Sequence, residues 1–186
     1  MRKFLINEVQ QHKKIITKLL EEIKIVDEIG NIILKKLKEG GKVIIFGNGG
    51  SAADSQHMVA ELIGHFKKKR DPIPAISLTT NTSNLTAISN DFSFEEVFER
   101  QILGIANSND VVIGISTSGN SPNVLKAIEA AKKIGATTIG LTGEKGVKLR
   151  NLCDICIMVP SSDTQRIQEC HILLIHLICG IVENGK

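Results

Sequence analysis

From Phe4 to about Leu37 the apolar residues Leu5, Ile6, Val9, Ile15, Ile16, Leu19, Leu20, Ile23, Val26 and Ile29 recur at helical spacing. The pattern predicts one or two helices, bent near Gly30 and ended by Gly40 and Gly41. Beyond them the period changes. Five short apolar runs follow: Val43 to Phe46, Ala75 to Leu78, Val111 to Ile115, Thr137 to Leu141 and Ile155 to Val159. Helical patterns lie between them at about Ser51 to His65, Thr82 to Ser89 with Phe94 to Gly104, Pro122 to Ile134 and Lys145 to Asn151. A last helix is expected from about Asp163 to Val182. Near-continuous Val and Ile runs are strands buried on both faces, so this order predicts an α/β three-layer sandwich around a five-stranded parallel sheet.

No repeat, low-complexity tract or linker interrupts the pattern, so residues 1–186 read as a single domain with residues 1–40 as an N-terminal helical arm. The arm is amphipathic over a length that one sheet can hardly cover. Packing against another copy of the chain is expected, with folding back onto its own domain as the alternative.

Composition narrows the function classes. At 42% hydrophobic and 23% charged residues, disorder and collagen are excluded. A net charge of +3 with neither Trp nor Tyr leaves little to stack on bases, so no nucleic-acid partner is expected, and no sugar platform of those rings is available. Residues 1–40 hold nine Lys or Arg against six acids, and the remainder holds fourteen of each, so the excess belongs to the arm. The run Lys67, Lys68, Lys69, Arg70 reads as a solvated helix end, with a phosphate or partner patch as the alternative. Met1 to Ile6 is too polar for a signal peptide, and Ile172 to Val182 is interrupted by His176 and falls short of the ~18 residues of a membrane helix. The expectation is a cytoplasmic protein with no membrane contact. Cys153 and Cys156 form a C-x-x-C pair flanking a strand, while Cys170 and Cys179 fall in a helical pattern. All four read as small buried hydrophobes rather than a zinc or redox site.

In open parallel sheets, ligands sit where strand ends lead into helix N-termini. Two such loops carry unusual chemistry. Gly47-Asn48-Gly49-Gly50-Ser51-Ala52 matches the G-x-G-x-x-A dinucleotide pattern, but a nicotinamide enzyme should then place an acid about twenty residues on, and the second strand ends Leu78-Thr79-Thr80-Asn81. The second loop, Ser116-Thr117-Ser118-Gly119-Asn120-Ser121, leads into Pro122. Its hydroxyls and backbone N–H groups at a positive helix end suit a phosphate monoester. An ordinary Ser N-cap with Pro at N1 accounts for Ser121 and Pro122 but not for Ser116 to Ser118. No Lys follows in P-loop spacing, which disfavours a nucleoside triphosphatase.

His57 and Glu61 are four apart and share a helix face. Gln168 and His176 are eight apart on the last helix, roughly 80° around and ~12 Å along its axis. Set among Leu173, Leu174, Ile175, Leu177 and Ile178, His176 also reads as a satisfied core histidine.

Taken together, Phe46-Gly-Asn-Gly-Gly-Ser-Ala-Ala-Asp-Ser-Gln-His57, Glu61, Asn90-Asp91, Ser116-Thr-Ser-Gly-Asn-Ser121 and Arg166-Ile-Gln168 to His176 resemble the sugar isomerase (SIS) domain family, and within it the phosphoheptose isomerases. The resemblance spans nearly the whole chain, arm included. It implies a flavodoxin-like fold and interconversion of sedoheptulose 7-phosphate and D-glycero-D-manno-heptose 7-phosphate, the first step of heptose synthesis for lipopolysaccharide or related glycans. It implies further that Ser116, Thr117, Ser118 and Ser121 hold the phosphate, and that Asn48, Gly49, Gly50, Asn90, Asp91, Glu61 and Gln168 contact the sugar. Zinc (Zn2+) would be held by His57, Glu61, Gln168 and His176, either by long side chains converging or by different subunits contributing. Glu61 and His176 would be the catalytic base and acid, and Arg166 or the 67–70 run would add attraction for phosphate. The working unit would be a homotetramer with sites where chains meet. Two rival readings stand beside it: a non-catalytic SIS scaffold that binds the replication initiator protein, and a nicotinamide oxidoreductase resting on the Gly47 loop alone.

Overall fold

The computed structural model describes residues 1–185. In chain order the elements are α1 (Arg2–Leu19), a 3-10 turn (Leu20–Glu22), α2 (Ile23–Lys38), β1 (Val43–Gly47), α3 (Gly50–Ile63), β2 (Ala75–Ser77) and α4 (Thr82–Asp91). A second 3-10 turn (Phe94–Glu96) leads to α5 (Glu99–Ile105), β3 (Val111–Ile115), α6 (Pro122–Ile134), β4 (Thr137–Gly143), α7 (Val147–Leu152), β5 (Ile155–Val159) and α8 (Thr164–Asn184).

All five strands pair in parallel in the order β2-β1-β3-β4-β5. This is the doubly wound arrangement expected from the alternation of strands and helices, and it places the topological switch point between β1 and β3. The two loops singled out in the sequence follow those two strands.

Alternating side chains on each strand face opposite layers. Val43 and Ile45 of β1 join Ile113, Leu141 and Ile157 in a core covered by α2, α3 and α8, including Ile29, Ile33, Met58, Leu62, Leu174 and Ile178. Ile44 and Phe46 join Val112 on the other face, under Phe98 at the cap of α5, Ile102 of α5, Val124 and Ile128 of α6 and Leu149 of α7.

The arm divides into two parts with different fates. In α2 the residues Val26, Ile29, Ile33 and Leu37 are buried in the chain's own core, so this half folds back. In α1 only Leu19 is buried, while Phe4, Leu5, Ile6 and Val9 face outward. The break between the helices lies at Leu20–Glu22 rather than at Gly30. Gly30 is buried inside α2 for a different reason: a Cβ built on it would sit 2.4 Å from Cγ2 of Ile181, so glycine lets α2 approach α8 closely.

At 21 residues α8 has the length and composition of a membrane-crossing helix, more than its apolar stretch alone suggests. Here it packs against α2 and α3 in the core, with Ile167, Cys170, His171, Leu174, Ile175, Ile178 and Cys179 buried. Burial pushes the Cys170 thiol up to about 11 and the Cys156 and Cys179 thiols up to about 12, and raises Cys153 as well. Thiols so reluctant to ionise suit the reading of all four as small buried hydrophobes.

Candidate active site

The loop after β1 turns at Gly49, whose φ of 58° is a left-handed value that side chains disfavour, and α3 begins at the next residue. A Cβ on Gly50 would lie 2.5 Å from Nε2 of Gln168, so Gly50 makes room for that amide from the first turns of α8. The loop after β1 is tied to the first turn of α6 at the switch point by a reciprocal amide pair, in which Asn48 and Asn123 each donate Nδ2–H to the other's Oδ1 at 2.9 Å.

In the second loop the Ser121 hydroxyl makes no cap to α6, although Pro122 stands at the helix start. It lies 2.9 Å from the hydroxyl of nearly buried Ser116. The N-cap alternative therefore fails for the side chain, and two hydroxyls converge inside the loop instead. Thr117 and Ser118 line an adjoining cavity of about 160 Å³ with Asn120, Lys145, Ser161 and Thr164. After β2, where a dinucleotide enzyme would need its acid, the hydroxyls of Ser55, Ser77 and Thr79 bond one another at 2.7–3.3 Å.

One face of α3 carries Gly50, Asp54, His57 and Glu61, and α8 runs alongside it. Nε2 of His57 lies 3.0 Å from Oε1 of Glu61 and 3.2 Å from Nε2 of His176. Ligand atoms of the three residues lie within 4.8 Å of one another. Tetrahedral zinc bonds of 2.0–2.1 Å put neighbouring donors about 3.3 Å apart. Two imidazole nitrogens and a carboxylate oxygen at these separations fit that ion in chemistry and spacing. His176 is thus half-exposed and turned toward partners rather than a core histidine.

The remaining predicted residues fall elsewhere in the chain. Gln168 lies over Gly50, whereas His57 is seven residues further along α3, ~10 Å by helical rise. Asn90 and Asp91 are exposed at the end of α4, where Asn90 donates to Asp91 at 2.8 Å. Arg166 is engaged away from the phosphate loop: it is nearly buried and donates to the Glu8 carbonyl at 2.6 Å and to Glu169 at 2.6 Å, holding α1 to α8. Arg70 likewise donates to the Glu61 and Leu62 carbonyls at 2.7 and 2.8 Å.

Three neighbours of the site carry no sequence signal of their own. Burial pushes the Asp54 carboxyl up to about 6 against the opposing pull of His57, and its Oδ2 has no hydrogen-bond partner. His171 is fully buried beneath the end of β4, donates from Nε2 to the Thr142 carbonyl at 3.4 Å, and is pushed down to about 4 by burial. Phe66 stacks on His176 with ring centroids 5.6 Å apart.

Comparison with known proteins agrees with this geometry. The SIS domain family matches residues 8–143. The phosphoheptose isomerase of Aliarcobacter butzleri is 49% identical over 185 residues, covering 99% of this chain and 98% of that protein. The phosphoheptose isomerase of Aquifex aeolicus is 56% identical over 156 residues, 84% of this chain and 82% of its own length. Among solved structures, the phosphoheptose isomerase of Neisseria gonorrhoeae superposes with a TM-score of 0.92 at 37% identity, over 98% of both chains. That of Francisella tularensis gives 0.93 at 32% identity, over 99% of both chains.

Proposed function

The chain belongs to the SIS-domain family and, within it, to the phosphoheptose isomerases, and from that premise we propose how its residues divide the work. It is an aldose–ketose isomerase that interconverts sedoheptulose 7-phosphate and D-glycero-D-manno-heptose 7-phosphate in heptose biosynthesis. The observation that carries the assignment of roles is the meeting of His57, Glu61 and His176 on two helices that also border the glycine and hydroxyl loops.

The substrate phosphate sits in the loop of Ser116, Thr117, Ser118 and Ser121, where hydroxyls and the N-terminus of α6 offset its charge. Asn48, Gly49, Gly50 and Gln168 contact the sugar hydroxyls from the β1 loop and α8, and Asn90 and Asp91 complete the set. Isomerisation requires removal of the proton beside the carbonyl and its return at the neighbouring carbon, through a cis-enediolate. Glu61 meets His57 through Oε1, which leaves Oε2 to take that proton. His176 serves as the acid at the substrate oxygens through Nδ1, the ring nitrogen not engaged by His57, and the two exchange roles with reaction direction. Zinc would be held by His57, Glu61 and His176, and when bound it supplies Lewis-acid stabilisation of the enediolate charge, while Gln168, set over Gly50, is left to the sugar rather than to the ion.

The outward apolar residues Phe4, Leu5, Ile6 and Val9 of α1 support assembly into a homotetramer, with sites completed where chains meet. Exposed Asn90 and Asp91 suit a contribution across such an interface. Residues 1–186 act as one domain, in the cytoplasm. A scaffold has no need of the three converging donors, and a nicotinamide enzyme lacks its acid after β2, so neither rival is favoured.

The test is incubation of the purified protein with sedoheptulose 7-phosphate while following aldoheptose phosphate. Turnover is expected, and its absence both with and without added zinc would refute the assignment.

A further inference from the structure

His176 is gripped between two rings. His57 meets it edge-on, with centroids 5.0 Å apart and planes at 67°, and Phe66 stacks on it at 5.6 Å and 26°. Phe66 lies just beyond α3, in the segment that leads into the basic run Lys67 to Arg70. This segment has no helix or strand to hold it. It is held by one carboxylate instead. Glu183, only 6% exposed, accepts the backbone N–H groups of Phe66 at 2.9 Å, Lys67 at 2.9 Å and Lys68 at 3.1 Å. Its Oε1 also lies 3.4 Å from Nε of Arg70, whose other nitrogens bond the carbonyls of Glu61 and Leu62. Charge-assisted bonds to three successive amides fix a backbone more firmly than neutral ones would.

Glu183 stands seven residues after His176, two turns along the same face of α8. Gly180 lies between them, and a Cβ built there would fall 3.5 Å from the Phe66 ring, an ordinary contact distance, so the ring packs directly over this stretch of α8. We propose that Phe66 is a positioning residue for His176: Glu183 gathers the 66–68 amides and seats the Phe66 ring on the imidazole, which keeps Nε2 directed at His57 and Glu61. Offset stacking favours one ring orientation over rotation about χ2. Misplacing an acid by even ~1 Å slows a reaction by up to about 10². On this view the side chains of Lys67, Lys68 and Lys69 are exposed to solvent just past α3, as the solvated-end reading expects, while the backbone of the run and Arg70 do the positioning.

The inference rests on His176 being the acid, so the test has two separate readouts. The first is the imidazole proton shifts of His176, assigned with His176→Asn and read by NMR on the intact protein. Stacking on Phe66 shifts them upfield; Phe66→Leu should remove that shift, Phe66→Tyr should keep it, and Glu183→Gln should reduce it. The second is steady-state kinetics with sedoheptulose 7-phosphate. Phe66→Leu should lower kcat about tenfold while KM and inhibition by inorganic phosphate stay within about twofold, and Phe66→Tyr should restore kcat. Unchanged proton shifts in Phe66→Leu overturn the inference whether or not the protein turns over. Normal kcat in Phe66→Leu, KM rising with the loss of kcat, or failure of Phe66→Tyr to rescue also overturns it. A wild type that is inactive but carries the shift defeats the functional assignment and leaves the seating of the ring established.

Discussion

His176 on α8 and His57 on α3 are 119 residues apart in the chain, yet their Nε2 atoms lie 3.2 Å from each other. Two nitrogens that close either share one proton or face a common cation, and Glu61 at 3.0 Å from His57 supplies the negative charge for the second case. The relationship exists because α3 and α8 follow β1 and β5 onto the same side of the sheet and lie in contact.

Glu61→Gln keeps the size and one acceptor of the side chain but cannot take a proton. Turnover should fall by about 10² or more with phosphosugar binding retained. Kinetics beside a direct binding titration check this, and normal kcat would remove Glu61 as the base.

Dialysis against a chelator should lower turnover by about tenfold or more, and zinc should restore it. Metal content by emission spectroscopy gives an independent reading. One zinc per site is expected in the wild type and much less in His57→Ala. A protein fully active with negligible metal would refute the zinc assignment.

Leu5 and Val9 are exposed on α1 at 56% and 69%. Replacing both by Glu places charge on the face that is to meet other copies, and light scattering should report a species smaller than the tetramer. A wild type already monomeric at micromolar concentration would dismiss the assembly.

His171 links pH to stability. Burial lowers its folded pKa to about 4 from an ordinary 6.5, so between those values the unfolded chain binds more protons than the folded one. The stability is fully present above pH 6.5 and is lost as pH falls toward 4, by roughly 3 kcal/mol at most. His171→Gln has no such proton to bind. Denaturant titrations from pH 7 to 4 should show a shallower decline in that variant than in the wild type, and parallel declines would contradict the assignment.

Gly30→Ala forces a methyl to within 2.4 Å of Ile181, and overpacking of this kind costs about 1–3 kcal/mol. Combined with Ile181→Ala, the loss should be smaller than the sum of the two single losses by more than ~0.5 kcal/mol. Strict additivity would mean that α2 and α8 do not meet there.

The sheet and its helices were legible because β1, β3 and β5 are rich in Val and Ile, β2 and β4 are short apolar runs between turn residues, and the helices between them carry a 3.6-residue period. The helix break was not. Glycine in a helical pattern signals a bend when only the local chain is considered, whereas Gly30 serves a contact with Ile181, some 150 residues away. Arg166 and Arg70 were misread for a similar reason: the sequence displays their charge, but the carbonyls and carboxylates that engage them come from distant segments.

Within the site, His57 and Glu61 share a face by helical geometry alone, and the hydroxyl loop is contiguous, so both could be read directly. Placing His176 against His57, pairing Ser121 with Ser116, and seating Phe66 by Glu183 each needed strand order and helix packing. Local periodicity and turn chemistry depend on residues a few places apart, and the chain alone determines them. Convergence of donors from different elements depends on which faces the core buries together, and only the tertiary structure decides that.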